Sequence, residues 1–228
     1  MKKLFACALC LAFLNACNNA GVKGFWDNVP LLEQDISVSE NRLADFAELA
    51  VKAPEQEALE EMDNLFDRLK EDEVAYYVYS EWMTGAFYSI LSPCRNATLY
   101  SKAVERIVSD GVFSQDETDL FIKNMEWISY NNKGDKAIVP SVSLNGERTL
   151  VLVLDLSCPS CREALEKLSS KQMRKVAICL GIGPAPKTLN WEYYTPENGN
   201  AVFDIHMTPF YFTVSPQGTV EQTYTIAL

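Results

Sequence analysis

The stretch TLVLVLDLSCPSCREALEKL, residues 149–168, constrains the fold more than any other. Thr149–Asp155 is an unbroken apolar run rich in β-branched residues, the pattern of a strand buried on both faces rather than one alternating between core and water. Cys158 and Cys161 follow at once, and behind them Ala164, Leu165 and Leu168 recur at helical spacing, so Pro159 to about Ser170 reads as a helix. "KVAICLGIG" at 175–183 supplies a second buried strand, and "PFYFTVSPQGTVEQTYTI" at 209–226 gives two β runs about Pro216-Gln217-Gly218, a hairpin by its turn chemistry. Strand, helix, strand and hairpin imply a mixed sheet.

A Cys-x-x-Cys at a helix start brings both sulfurs to one end of the helix. Cys158 falls at the N-cap, with Pro159 at the first helical position, where a missing N–H costs nothing. Free helical N–H groups and the positive end of the dipole favour the thiolate there, which makes Cys158 the nucleophile. Cys161, one turn in and more covered, would resolve a mixed disulfide, so the pair can act as a two-electron switch. Two other readings stand beside this one. A metal site needs two further ligands, whereas the chain has a single histidine, His206, and its other mature cysteines, Cys94 and Cys179, are isolated. A purely structural disulfide would close a loop too small to stabilise much.

From about residue 39 to 132 the apolar spacing is three and four, and five amphipathic helices are expected. The first carries Leu43, Phe46, Leu49 and Ala50, and the second Leu59, Met62, Leu65, Phe66 and Leu69 with acids on its other face. The third, "EVAYYVYSEWMTGAFYSILS", is expected to run to Pro93, its aromatics serving as core. Gly111 closes the fourth, and Ser114 with Glu117 forms a capping box for the fifth. This half shows no catalytic set.

The chain opens with "MKKLFACALCLAFLNACNNA": two lysines, a short apolar run, then Ala16-Cys17, the order of a secretory signal. The apolar run is well short of the roughly 20 residues a membrane-crossing helix needs. Residues 1–16 are expected to be removed, with 17–38 a tether, 39–134 a helical domain and 137–228 the α/β domain. The formal net charge of −11 disfavours nucleic acid and anionic membrane surfaces as partners. In an exported protein a close cysteine pair is free to oxidise.

Leu14-Asn15-Ala16-Cys17 resembles the lipobox of bacterial lipoproteins, which implies lipidation of Cys17 and a place in the cell envelope, periplasmic or surface-facing. The strand, the Cys158-Pro159-Ser160-Cys161 helix and the later "FDIHMTPFYFTVSPQGTV" resemble the thioredoxin fold, most of all the TlpA/ResA class of extracytoplasmic thiol-disulfide oxidoreductases. The resemblance covers roughly residues 137–228. It implies an α/β thioredoxin-like fold with a central mixed sheet and the cysteine pair at a helix N-terminus, preceded by an all-α domain. It also implies a protein disulfide as substrate, a membrane electron-donor protein as partner, no cofactor, and reduction as the direction. Thr208-Pro209 matches the pair that introduces the strand opposite the redox cysteines, where the Pro is cis and the backbone of the preceding residue pairs with a bound peptide. "FWDN" near residue 25 and "SPCRNATLY" at 92–100 resemble an uncharacterised helical domain that precedes thioredoxin domains in some bacterial lipoproteins.

The chain departs from that pattern in places. Leu156 and Ser157 replace the aromatics that often flank the first cysteine, and Leu152 stands where thioredoxin has a buried acid. Asp155, three before Cys158, is either an aid to proton transfer from Cys161 or a turn residue ending the strand. His206 reads as a surface residue within range of the pair. A competing function is a binding lipoprotein whose helical half takes a partner while the other half is scaffold. Peroxide reduction is a weaker third reading, because no Thr and Arg set accompanies one cysteine.

Overall fold

The computed structural model describes residues 21–33, 35–181, 183 and 190–226. The leader at 1–16 and Cys17 lie outside the described residues.

Five helices form the first half: α1 Ile36–Ala50, α2 Glu55–Leu69, α3 Glu73–Tyr88, α4 Ala97–Asp110 and α5 Gln115–Ser129. Four are capped at their N-termini by local side chains that take up free N–H groups. Asp35, Asp72 and Asn96 accept from Ser37, Ala75 and Leu99, and Ser114 and Glu117 complete the expected capping box. Gly111, at φ 69°, ends α4 in the left-handed region that favours glycine. Phe46, Met62, Leu65, Phe66, Tyr76, Tyr79, Phe87 and Tyr100 fill the core between the helices, so the aromatics of α3 are packing residues as expected. Arg106 on α4 ties this bundle at its rim, reaching Asp63 and Asp67 on α2.

Three expectations for this half are corrected. Residues 17–38 are not simply a tether: Val22 and Trp26 are buried in the helical core, with Trp26 edge-on to Tyr79. Glu61, an acid of the supposedly solvated face of α2, is buried there and accepts the N–H groups of Gly24 at 2.8 Å and Trp26 at 2.9 Å. The third helix ends at Tyr88 rather than running to Pro93. The Ser89 hydroxyl accepts the Leu91 N–H at 3.2 Å, offering the backbone a turn in competition with the helix, and Pro93 disfavours helical geometry at Ser92.

The second half is a sheet of β1 Thr149–Asp155, β2 Arg174–Leu180, β3 Glu192–Tyr194, β4 Phe210–Val214 and β5 Val220–Ile226. Its order is β3-β2-β1-β4-β5; the first three strands run parallel and β4 and β5 antiparallel to their neighbours. β3 was not expected, since three residues with Glu192 exposed carry no periodic signal. Helix α6, Pro159–Leu168, crosses from β1 to β2, and a short helix α7, Gly199–Val202, and a 3-10 turn, Ile205–Met207, lead into β4.

β1 is buried on both faces, as its apolar run demands. Leu150, Leu152 and Leu154 pack with Cys161, Ala164, Leu165 and Leu168 of α6. Val151 and Val153 pack on the other side with Phe203, Phe210 and Phe212, under Val139 and Leu144. The helical half reaches this second face at its edge through Ile90, and Met207 packs against both cores. Polar ties join the halves too: the Trp127 indole donates to Asn200 O at 2.8 Å and the Tyr88 hydroxyl to Asp204 at 2.7 Å.

Candidate functional site

The site is built where β1 turns into α6. The Leu156 N–H donates to Leu180 O at 3.1 Å and the Cys158 N–H to Asp155 O at 3.1 Å, which turns the chain sharply and sets Cys158 at the N-cap of α6. Pro159 occupies the first turn, where its ring suits the backbone. Cys158 is partly exposed, whereas Cys161 faces the core at 1% exposure.

This difference in setting separates the two thiols. Burial acts to raise the Cys158 thiol pKa. Hydrogen bonds to its sulfur from the Ser160 hydroxyl, the Cys161 thiol and the N–H groups of Cys161 and Ser160 outweigh that burial, so the pKa lies below the ordinary thiol value. The Cys158 sulfur stands 2.9 Å from Ser160 Oγ. Burial pushes the Cys161 thiol up to about 12; the Asp155 N–H, 3.3 Å from its sulfur, opposes the rise and the Cys158 sulfur adds to it. The outer sulfur is therefore disposed to attack and the inner one to stay protonated until needed.

Asp155 meets the Cys161 sulfur through its backbone. Its carboxylate closes the turn: Oδ1 accepts the Ser157 N–H at 2.8 Å, and the Ser157 hydroxyl lies 2.8 Å from Oδ2. Of the two readings of Asp155, this geometry belongs to the turn residue. Gly181, at φ +74°, lets the carboxylate lie where it does, since a Cβ there would stand 2.6 Å from Oδ1.

The Thr208–Pro209 peptide bond is cis and precedes β4, which lies beside β1. The Thr208 hydroxyl donates to Ile205 O at 2.8 Å, and the same side chain acts to lower the Cys161 thiol pKa, against the effect of burial. The Thr208 N–H donates to Ile205 O at 3.2 Å within the 3-10 turn. The peptide pairing implied by the resemblance would therefore fall chiefly to the Thr208 carbonyl. His206 is exposed and lines, with Ser160, Thr208 and Pro209, a groove of about 240 Å³.

Cys94 and Cys179 are free thiols in different cores, Cys94 among the helices and Cys179 on the α6 side of the sheet. Among the described residues, no three His, Cys, Asp or Glu side chains gather as a metal ion would require.

No family model and no curated protein matches the sequence. Among solved structures, the chain is similar to a thioredoxin-like protein from Bacteroides caccae ATCC 43185, known from a crystal structure at 1.90 Å resolution. The two superpose with a TM-score of 0.68 at 19% identity, over 90% of this chain and 87% of that one. The fold is thioredoxin-like. A match of that extent takes in the helical half as well as the sheet, so the helices belong to the shared architecture. Within this thioredoxin-like frame, sequence reasoning missed the Ser89–Leu91 turn of the helical half, which lines the same groove as Ser160 and Pro209. Its only sequence signal was Pro93, which marks a helix end without showing what the end faces.

Proposed function

We propose that the chain is a thiol-disulfide oxidoreductase that reduces protein disulfides through Cys158 and Cys161, anchored in the cell envelope by a lipid on Cys17. The observation that carries this reading is the contrast between an accessible Cys158 with a lowered pKa and a buried Cys161 with a raised one. A structural pair has no need of that contrast, and a dithiol exchange does.

In the cycle, the Cys158 thiolate attacks one sulfur of the substrate disulfide; the other leaves as a thiolate and takes a proton from solvent. Cys161 then loses its proton and attacks the Cys158 sulfur. The Cys158–substrate bond breaks, the second substrate thiol is released, and the protein is left as the Cys158–Cys161 disulfide. Two electrons and two protons from a dithiol donor restore it; a membrane electron-donor protein is the partner this requires in an envelope setting. Asp155 and Ser157 hold the turn that presents Cys158, and Thr208 and Pro209 form the opposite wall. No cofactor enters the cycle.

The test is turnover of insulin disulfides with dithiothreitol, together with a Cys161→Ser variant. The variant is expected to accumulate mixed disulfides through Cys158. A chain that neither reduces insulin nor traps partners is no oxidoreductase, and the helical half would then be the working part of a binding protein.

A further inference from the structure

The groove beside Cys158 has two walls of different origin. Ser160, His206, Met207, Thr208 and Pro209 come from the α/β half, and Ser89, Ile90 and Leu91 from the turn between α3 and α4. Leu91 is 72% exposed, more than any other large apolar side chain described as exposed, and it lines the groove together with Ile90, Met207 and Pro209. The turn is braced. Ser92 N–H bonds Ser89 O at 3.0 Å, Asn96 N–H bonds Phe87 O at 2.9 Å, and the Arg95 guanidinium both donates to Tyr88 O and lies over the Tyr88 ring.

Tyr88, at the base of the turn, is fastened to the other wall. Its hydroxyl donates to Asp204 Oδ2, while Asp204 Oδ1 accepts the His206 N–H at 2.9 Å and so caps the 3-10 turn that leads to Pro209. The spacing between the walls is thereby set before any ligand arrives, which spares a ligand the cost of ordering the turn. The groove lining carries no carboxylate in a chain with 31 Asp and Glu, and half of its residues, Ile90, Leu91, Met207 and Pro209, are apolar.

We propose that the α3–α4 turn is a specificity wall, and that Ile90 and Leu91 hold an apolar side chain next to the cysteine of an extended substrate polypeptide. The inference rests on the oxidoreductase reading and gives the helical half a part in choosing substrates. The site takes aliphatic or aromatic neighbours of the attacked cysteine and discriminates against glycine. Partial burial of one such side chain corresponds to about tenfold in kcat/KM.

The experiment uses two peptides with the same disulfide, one with leucine and one with glycine beside the cysteine, and the full-length protein with dithiothreitol. The wild-type protein is expected to favour the leucine peptide about tenfold. Leu91→Ser should bring the ratio close to one, and Leu120→Ser, an exposed leucine on α5 outside the groove, should leave it intact. A wild-type ratio near one, or a ratio unmoved by Leu91→Ser, overturns the proposal. If neither peptide is reduced, the oxidoreductase reading fails instead. Equilibrium binding of the two peptides with alkylated cysteines then decides the wall by itself: preference for leucine lost in Leu91→Ser supports it, and equal binding overturns it. A dimer in sedimentation that Leu91→Ser dissolves would make a second copy the occupant, which also overturns it.

Discussion

The Tyr88 hydroxyl donates to Asp204 Oδ2 at 2.7 Å across 116 residues of chain, joining the end of α3 to the turn that leads into Thr208 and Pro209. Burial, the bond to Asp204 and its charge all raise the Tyr88 pKa, so the phenol keeps its proton at any ordinary pH and remains a donor. The phenol end of this bond between the halves therefore does not switch with pH.

Tyr88→Phe leaves the buried Asp204 carboxylate short of a donor. The expected cost is about 1.5–3 kcal/mol, read as a lower urea midpoint for the full chain. Tyr77→Phe is the comparison, because that hydroxyl donates at 3.0 Å to Val112 O within the helical half. It should cost about 1 kcal/mol, as a neutral hydrogen bond does.

Alkylation of the reduced protein should separate the cysteines. Thiolate is the reactive form, so the Cys158 rate rises with pH as the proton leaves. With the pKa lowered, that rise should level off at a lower pH than it does for an ordinary thiol. Cys161, pushed up to about 12 by burial, should be modified only after unfolding. Peptide mapping after iodoacetamide at several pH values checks both; labelling of Cys161 before Cys158 would reverse their assigned roles.

Ser160→Ala removes the largest of the contributions that offset the burial of the Cys158 thiolate. The thiol pKa should rise, and less thiolate is present at neutral pH. A less stable thiolate makes the reduced form less favoured relative to the disulfide, so the couple should shift to a more negative potential in a glutathione equilibrium. Alkylation of Cys158 at pH 7 should slow in the same variant.

Asp155→Asn and Asp155→Ala separate a turn residue from a proton carrier. Asparagine keeps an oxygen for the Ser157 N–H and should retain most of the stability and insulin reduction. Alanine loses that acceptor and should cost about 1 kcal/mol, read by urea unfolding, with slower turnover as Cys158 is less firmly presented. Equal loss of turnover in both, with stability kept in the asparagine variant, would return Asp155 to proton transfer.

Much was legible in the sequence because it is written in short-range pattern. The unbroken apolar run of Thr149–Asp155 requires two covered faces, and Cys158 followed by Pro159 marks a helix start with its first sulfur outward. Ser114 with Glu117 announces α5, Gly111 ends α4, and Pro216-Gln217-Gly218 turns the hairpin. Each signal lies within a few residues of its effect, where backbone geometry and local hydrogen bonds decide the outcome.

Other features waited on tertiary structure, because periodicity shows which face is apolar but not what will cover it. Trp26 looked like part of a tether until Glu61 supplied acceptors for its segment, and β3 exists as an edge strand because β2 offers it a partner. Ser89–Leu91 looked like the last turn of a helix. The packing of Ile90 and Met207 and the fastening of Tyr88 to Asp204, between residues far apart in the chain, bring that turn beside Ser160 and Pro209. The residues from 149 onward determined that there would be a cysteine pair at a helix end; the packing of one half on the other decided what stands beside it.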